Sequence, residues 1–194
     1  MLEVNKKMSL LTLTSILLFI SMAFTTINAR IVIPVPVVDA DGDPVQLGVY
    51  YHLVPFTLDT GGGLARGPNR NHNKTCPLSV VQLPLNGKKG LPIRFFLSLI
   101  PVEERVVRTS TDHIFQFNNS SICGKDPIWK LDAFDESVGK YFISTTNQIT
   151  TDMKYKFKIE RVGSFASVNN YKLSYCPTVC STCVPLLCKN IGVY

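Results

Sequence analysis

From Arg30 onward the chain contains no stretch with the 3.6-residue apolar period of a long amphipathic helix. It breaks instead into short runs of β-branched and aromatic residues: Val49–Leu53, Ser79–Leu83, Ile93–Leu97, Val106–Arg108, Ile114–Phe117, Trp129–Phe134, Tyr141–Ser144, Tyr155–Ile159 and Tyr171–Tyr175. Between them stand Asp41-Gly42, Gly61-Gly62-Gly63, Gly67-Pro68 and Asn86-Gly87, which are turn signals. Many short strands at such spacing predict an all-β barrel or sandwich. The alternation in Lys154-Tyr155-Lys156-Phe157-Lys158-Ile159 predicts lysines facing water and apolar residues facing inward. Tyr50-Tyr51-His52-Leu53, Trp129-Lys130-Leu131 and Tyr171-Lys172-Leu173 recur loosely, as an internal repeat would. With 194 residues, 45% of them hydrophobic, one domain can bury a sizeable core.

The beginning reads differently. Lys6-Lys7 form a positive start, Met8 to Phe24 carries no charge, and Thr25-Thr26-Ile27-Asn28-Ala29 ends on a small residue. That order describes a secretory signal peptide over residues 1–29, cut after Ala29, with Ala23 as the alternative site. A membrane anchor is disfavoured, since the stretch is short for a span and rich in Ser and Thr. The expected mature domain is 30–194, secreted to the cell exterior or delivered to a vacuole.

An oxidising compartment governs the reading of the six cysteines, 76, 123, 176, 180, 183 and 188. An even count in a secreted chain implies a disulfide framework, although spacing alone leaves fifteen pairings open. Cys176-x3-Cys180-x2-Cys183-x4-Cys188 would suit zinc in the cytosol, and disulfides are favoured after export. Cys76 and Cys123 then most simply pair with each other across a long loop, worth about 4 kcal/mol on the chain-entropy argument. Asn73-Lys74-Thr75, Asn118-Asn119-Ser120 and Asn119-Ser120-Ser121 are glycosylation sequons, so Asn73, Asn118 and Asn119 are candidate acceptors, the overlapping pair not both at once.

Catalytic and metal-binding readings fare poorly. Asp39-Ala40-Asp41-Gly42-Asp43 alternates carboxylates as a calcium loop does, but Pro44 and Tyr50 stand where glycine and glutamate belong, so an acidic turn is expected. Asp59-Thr60-Gly61 resembles an aspartic-protease motif without the second copy that a shared proton requires. His52, His72 and His113 sit at no metal or triad spacing, with His52 expected on a strand and His72 in a glycosylated loop. No P-loop, zinc-hydrolase or nucleophile-elbow pattern occurs, and no catalytic residue or cofactor is assigned. The net charge of +6 is spread out, with no basic run longer than Lys88-Lys89, which argues against nucleic acid as a partner.

Several segments together carry a family resemblance. They are Val37-Val38-Asp39-Ala40-Asp41-Gly42-Asp43-Pro44-Val45 followed by Tyr51-His52-Leu53, then Thr75-Cys76-Pro77-Leu78-Ser79-Val80-Val81-Gln82. Val106-Val107-Arg108-Thr109-Ser110-Thr111-Asp112, Cys123 and Ile128-Trp129-Lys130-Leu131 with Asp135-Glu136-Ser137 continue the series. Phe157-Lys158-Ile159-Glu160, Tyr171-Lys172-Leu173-Ser174-Tyr175-Cys176-Pro177-Thr178-Val179-Cys180 and Asn190-Ile191-Gly192-Val193-Tyr194 complete it. In this order they resemble the Kunitz-type soybean trypsin inhibitor family, nearest its miraculin-like branch. The resemblance implies a β-trefoil, with twelve strands in three pseudo-equivalent units forming a six-stranded barrel with a three-hairpin cap. It also implies the pairings Cys76–Cys123, Cys176–Cys188 and Cys180–Cys183. Relatives continue for two more strands beyond the position of Tyr194, so this chain is expected to lack them and to present an open sheet edge.

The resemblance further implies an inhibitor rather than an enzyme, a monomer whose partner is a secreted serine protease, with no membrane contact in the mature form. Its reactive loop would be Ser98, Leu99, Ile100, Pro101, Val102, Glu103, Glu104 and Arg105. The tip, Leu99 to Glu103, has no basic residue. Alignment on Val106-Val107-Arg108 puts Pro101 or a neighbour ahead of the scissile bond, a poor fit to a trypsin-like acidic pocket. Arg105 is the nearest basic alternative, and Leu99 suits a chymotrypsin-like apolar pocket. Trypsin-inhibiting relatives support this loop from beneath with an Asn, where this chain has Leu47. The alternative is a non-inhibitory storage or defence binding protein on the same scaffold. A sugar-binding trefoil is a weaker reading, because Trp129 is the single tryptophan and is expected in the core.

Overall fold

Period-2 patterning decides the architecture. In the computed structural model, which describes residues 34–57, 59–70, 75–85, 88–97, 103–148, 152–163, 169–178 and 188–194, residues 34–194 form one compact unit. Its strands are β1 Leu64–Gly67, β2 Ser79–Gln82, β3 Ile93–Leu97, β4 His113–Phe117, β5 Ser120–Ser121, β6 Gly124–Lys125, β7 Ile128–Leu131, β8 Ile143–Thr146, β9 Lys158–Arg161, β10 Tyr171–Tyr175 and β11 Lys189–Asn190. A 3-10 turn at Met153–Tyr155 is the one helical element among the described residues. The expected leader, 1–29, lies outside them.

Six strands form one sheet in the order β1-β2-β8-β7-β4-β3, antiparallel where paired; β11-β10-β9 form a second and β5-β6 a small hairpin. The two edges of the large sheet meet at one segment. Tyr51 exchanges backbone hydrogen bonds with Ile93 of β3 at 2.8 and 2.7 Å, and the Leu53 carbonyl accepts from Leu64 of β1 at 3.1 Å. A sheet whose edges share a segment has curled into a barrel.

Inside lies an aromatic cluster. Phe95, Phe115, Phe117, Trp129 and Phe157 are all at most 1% exposed. Phe95 and Phe115 meet edge-on at 4.9 Å, Phe115 and Trp129 at 5.0 Å, and Phe157 contacts Trp129 and Tyr175 at 5.8 Å. Such pairs contribute about 0.5–1.5 kcal/mol each beyond the area they bury. Phe157 reaches this cluster because its backbone bridges His113, tying β4 to the chain entering β9.

Four expectations need correction. Val49–Leu53 is not a strand: Tyr51 makes a single bridge and His52 stands exposed in irregular chain beside it. Val106–Arg108 likewise forms isolated bridges, to Gln46 and Pro36, because its partner segment pairs with it only at separated points. Tyr155–Ile159 is split, with Tyr155 ending the 3-10 turn and the strand beginning at Lys158. The lysines of that segment do not all face water. Lys156 and Lys158 are 7% and 8% exposed, and the Lys158 ammonium lies 3.8 Å from the Asp112 carboxylate, which also accepts the Thr178 N–H at 2.9 Å. A paired charge overrides the simple inside-outside alternation.

Candidate functional site

The loop after β3 is held through its two limbs. The outgoing limb is β3, paired over all five residues with β4, with Ile93 and Phe95 inward and Arg94 and Phe96 on the outer face. Of the expected reactive loop, Ser98, Leu99, Ile100, Pro101 and Val102 lie outside the described residues, whereas Glu103, Glu104 and Arg105 are described and begin the returning limb.

That limb is fastened to the N-terminal segment. Val107 is fully buried; its N–H donates to the Val45 carbonyl and its carbonyl accepts from Val37, both at 2.8 Å. The Leu47 N–H donates to the Arg105 carbonyl at 2.7 Å, and the next N–H, from Gly48, donates to the Phe95 carbonyl in β3 at 3.0 Å. Two consecutive residues therefore hold one limb each. Gly48 has φ +78, in the left-handed region that favours glycine. The Leu47 side chain packs against the core, so this position serves the loop through its backbone rather than through a polar side chain.

Glu104 adds a second fastening. One carboxylate oxygen accepts the Val106 N–H at 3.1 Å and the other accepts Arg108 Nε at 2.8 Å. The Arg108 hydrogen bond, then that of the Val106 N–H, holds the Glu104 carboxyl below the usual carboxylate range. Arg105 is exposed, and its carbonyl bond to Leu47 places it in the stem of the loop rather than at its tip. Sequence reasoning missed Gly48 and Arg108 in this arrangement. The one available signal was Glu104 four residues before Arg108, a spacing ordinarily read as a helix pair.

The remaining candidates have other roles. Asp39 Oδ1 accepts from the N–H groups of Asp41 and Asp43, both at 3.0 Å, so this carboxylate closes a turn between the bridged Val38 and Pro44. Asp59 is exposed in a turn closed by Thr60 donating to the Thr57 carbonyl. His113 is completely buried, and His72 lies outside the described residues. Cys76 is joined to Cys123 and Cys176 to Cys188, with Cα separations of 5.6 and 4.2 Å; Cys180 and Cys183 lie outside the described residues. Asn118 is exposed and Asn119 half-buried ahead of the β5-β6 hairpin, and Asn73 lies outside the described residues.

Comparison with known proteins follows the same lines. The Kunitz family of trypsin and protease inhibitors named for legumes matches residues 37–194. Miraculin of Synsepalum dulcificum is 36% identical over 83% of this chain and 74% of that protein. The latex serine proteinase inhibitor of Carica papaya is 32% identical over 84% of this chain and 86% of that protein. Among solved structures, the bifunctional α-amylase/subtilisin inhibitor of Oryza sativa superposes with a TM-score of 0.62 at 28% identity, covering 82% of this chain and 85% of that one. The fold is thus the disulfide-bonded β-trefoil of Kunitz-type protease inhibitors, and several of the relatives are named as inhibitors. The chain belongs to the Kunitz-type trypsin and protease inhibitor family.

Proposed function

We propose that the protein is a secreted inhibitor of serine endopeptidases that offers the loop of residues 98–105 to the protease cleft as a substrate. One observation carries this reading: Leu47 and Gly48 tie Arg105 and Phe95 with consecutive backbone N–H groups, so the loop leaves and re-enters a rigid base. A loop held in its bound shape loses little conformational entropy on docking, and interfaces of this kind are among the tightest known. The kinship with an inhibitor named for serine proteinases supports the same target class. Arg105 belongs to the stem, so the residue ahead of the scissile bond is sought in 98–102, where Leu99 fits an apolar pocket. Export through the leader, carbohydrate at Asn73 and at the exposed Asn118, and a monomeric state are parts of this proposal.

Titration of the oxidised protein against trypsin, chymotrypsin, subtilisin and a papain-like protease tests it. Stoichiometric inhibition of chymotrypsin or subtilisin is expected, with weaker action on trypsin. No inhibition of any of them at micromolar concentration refutes it. A non-inhibitory storage or defence protein is the second reading, favoured by Leu47 standing where trypsin-inhibiting relatives have Asn. On that reading, exchanging residues 98–105 changes no protease activity.

A further inference from the structure

We propose that Arg66 anchors an anion-binding site in the barrel wall, one that takes a small oxyanion of the phosphate or sulfate kind. The inference stands apart from the inhibitor reading and uses nothing of the loop after β3. Arg66 lies in β1, directly opposite Val80 of β2. Facing residues of paired strands, and alternate residues along one strand, share a face. Arg66 therefore shares its face with Leu64 and Val80, both of which pack against the core. The residue as a whole is half-buried, but all three of its guanidinium nitrogens are buried, and none meets a hydrogen-bond acceptor. No ion pair among the described residues includes it. An undescribed residue of the domain supplies no carboxylate either, because every Asp and Glu from residue 34 onward is described.

A cation buried without a counter-charge is strongly unfavourable. Burial pushes the Arg66 pKa down with no partner opposing it, yet a guanidinium keeps its proton, so the charge cannot be shed as a lysine would shed it. Its planar fork of N–H donors is left whole, and that fork matches two oxygens of a phosphate or sulfate at once. The backbone beneath the fork is fixed on both sides. β2 holds one side; on the other the Gly63 N–H donates to the Lys88 carbonyl at 2.9 Å, and the Leu91 N–H donates to the Leu64 carbonyl at 2.8 Å. A Cβ on Gly63 would collide with the Lys89 carbonyl, so this close approach needs glycine. Lys88 and Lys89, both exposed, thus run beside the start of β1 and add positive field there. The exposed part of the Arg66 side chain gives a small anion a short approach from solvent. An anion bound there neutralises Arg66 in the folded state alone, which links ligand concentration to stability.

The test melts wild type, Arg66→Met, Arg66→Lys and Arg70→Gln across titrations of sodium phosphate and of sodium sulfate, at ionic strength held constant with sodium chloride. Phosphate binding to each is measured by calorimetry. Without phosphate or sulfate, Arg66→Met is expected to melt above wild type, because the unpaired cation is gone. The wild-type midpoint should then climb along a saturating curve, by about 5–10 °C at one hundred times the dissociation constant. Arg66→Met should show only the shallow, unsaturating rise that these anions give any protein through exclusion from its surface. Arg66→Lys, a charge without the fork, should bind about tenfold more weakly. Arg70→Gln removes a guanidinium already bonded to Asp135 and should respond as wild type does. Parallel curves for wild type and Arg66→Met overturn the proposal, as does a saturating response lost in Arg70→Gln but kept in Arg66→Met. Absence of calorimetric binding to wild type overturns it as well. If Arg66→Met does not fold, Arg66→Lys decides: weakened binding supports the site and undiminished binding refutes it.

Discussion

Lowering the pH from 7 to 4 should destabilise this protein through one imidazole. His113 is fully buried in β4, and burial lowers its pKa to about 4, against smaller opposing effects of the Thr111 backbone and the Asp112 charge. In the unfolded chain a histidine titrates near 6.5, so between the two values the unfolded state binds the additional proton. Stability from this group is complete above pH 6.5, falls as the pH drops toward 4, and changes no further below it. The difference of roughly 2.5 pH units corresponds to about 3 kcal/mol, a large share of the 5–15 kcal/mol typical of a domain. Urea unfolding at pH 7, 5.5 and 4 measures the loss, and the same series on His113→Phe isolates it. Carboxylates held low by partners, such as Asp135 with Ser137 and Arg70, titrate identically in both proteins, so the difference between the curves belongs to His113. The variant should lose about 3 kcal/mol less than wild type between pH 7 and 4. Parallel curves would refute the reasoning.

Two further outcomes follow from the packing. Replacing Cys76 and Cys123 by alanine, which opens a closure spanning 47 positions, should cost about 4 kcal/mol in urea unfolding at pH 7. Lys158→Ala leaves the Asp112 carboxylate buried without its cation and should cost about 3 kcal/mol or more, whereas Lys154→Ala, at an exposed pair with Asp152, should leave the unfolding midpoint in place.

Side-chain patterning made the strands legible where burial alone selects the residues. Ile93–Leu97 and Tyr171–Tyr175 stand where the apolar runs predict them, and β2 and β4 differ from expectation at one end by a single residue. Reading failed where the partner rather than the residue type decides. Leu64–Gly67, with the residues Leu-Ala-Arg-Gly, has little β propensity of its own, yet all four residues pair with β2. A Cβ on Gly67 would sit 2.6 Å from a Val81 methyl, so that approach needs glycine. Val49–Leu53 has strong β propensity and forms one bridge, because only Tyr51 meets Ile93. At the loop after β3, the fastening of the two limbs depends on backbone groups of Leu47 and Gly48, which no side-chain pattern reveals.

On the proposed function, the dependence of the loop's two limbs on Leu47 and Gly48 constrains how that loop can be borrowed. A cyclised peptide copied from positions 93–108 would carry the Glu104–Arg108 ion pair but leave the Leu47 and Gly48 N–H groups behind, and on that reading a protease should cut it as an ordinary substrate. Trimming the amino end of the domain as far as Gly48 should do likewise to the intact protein, disarming it at a point some fifty residues upstream of the bait.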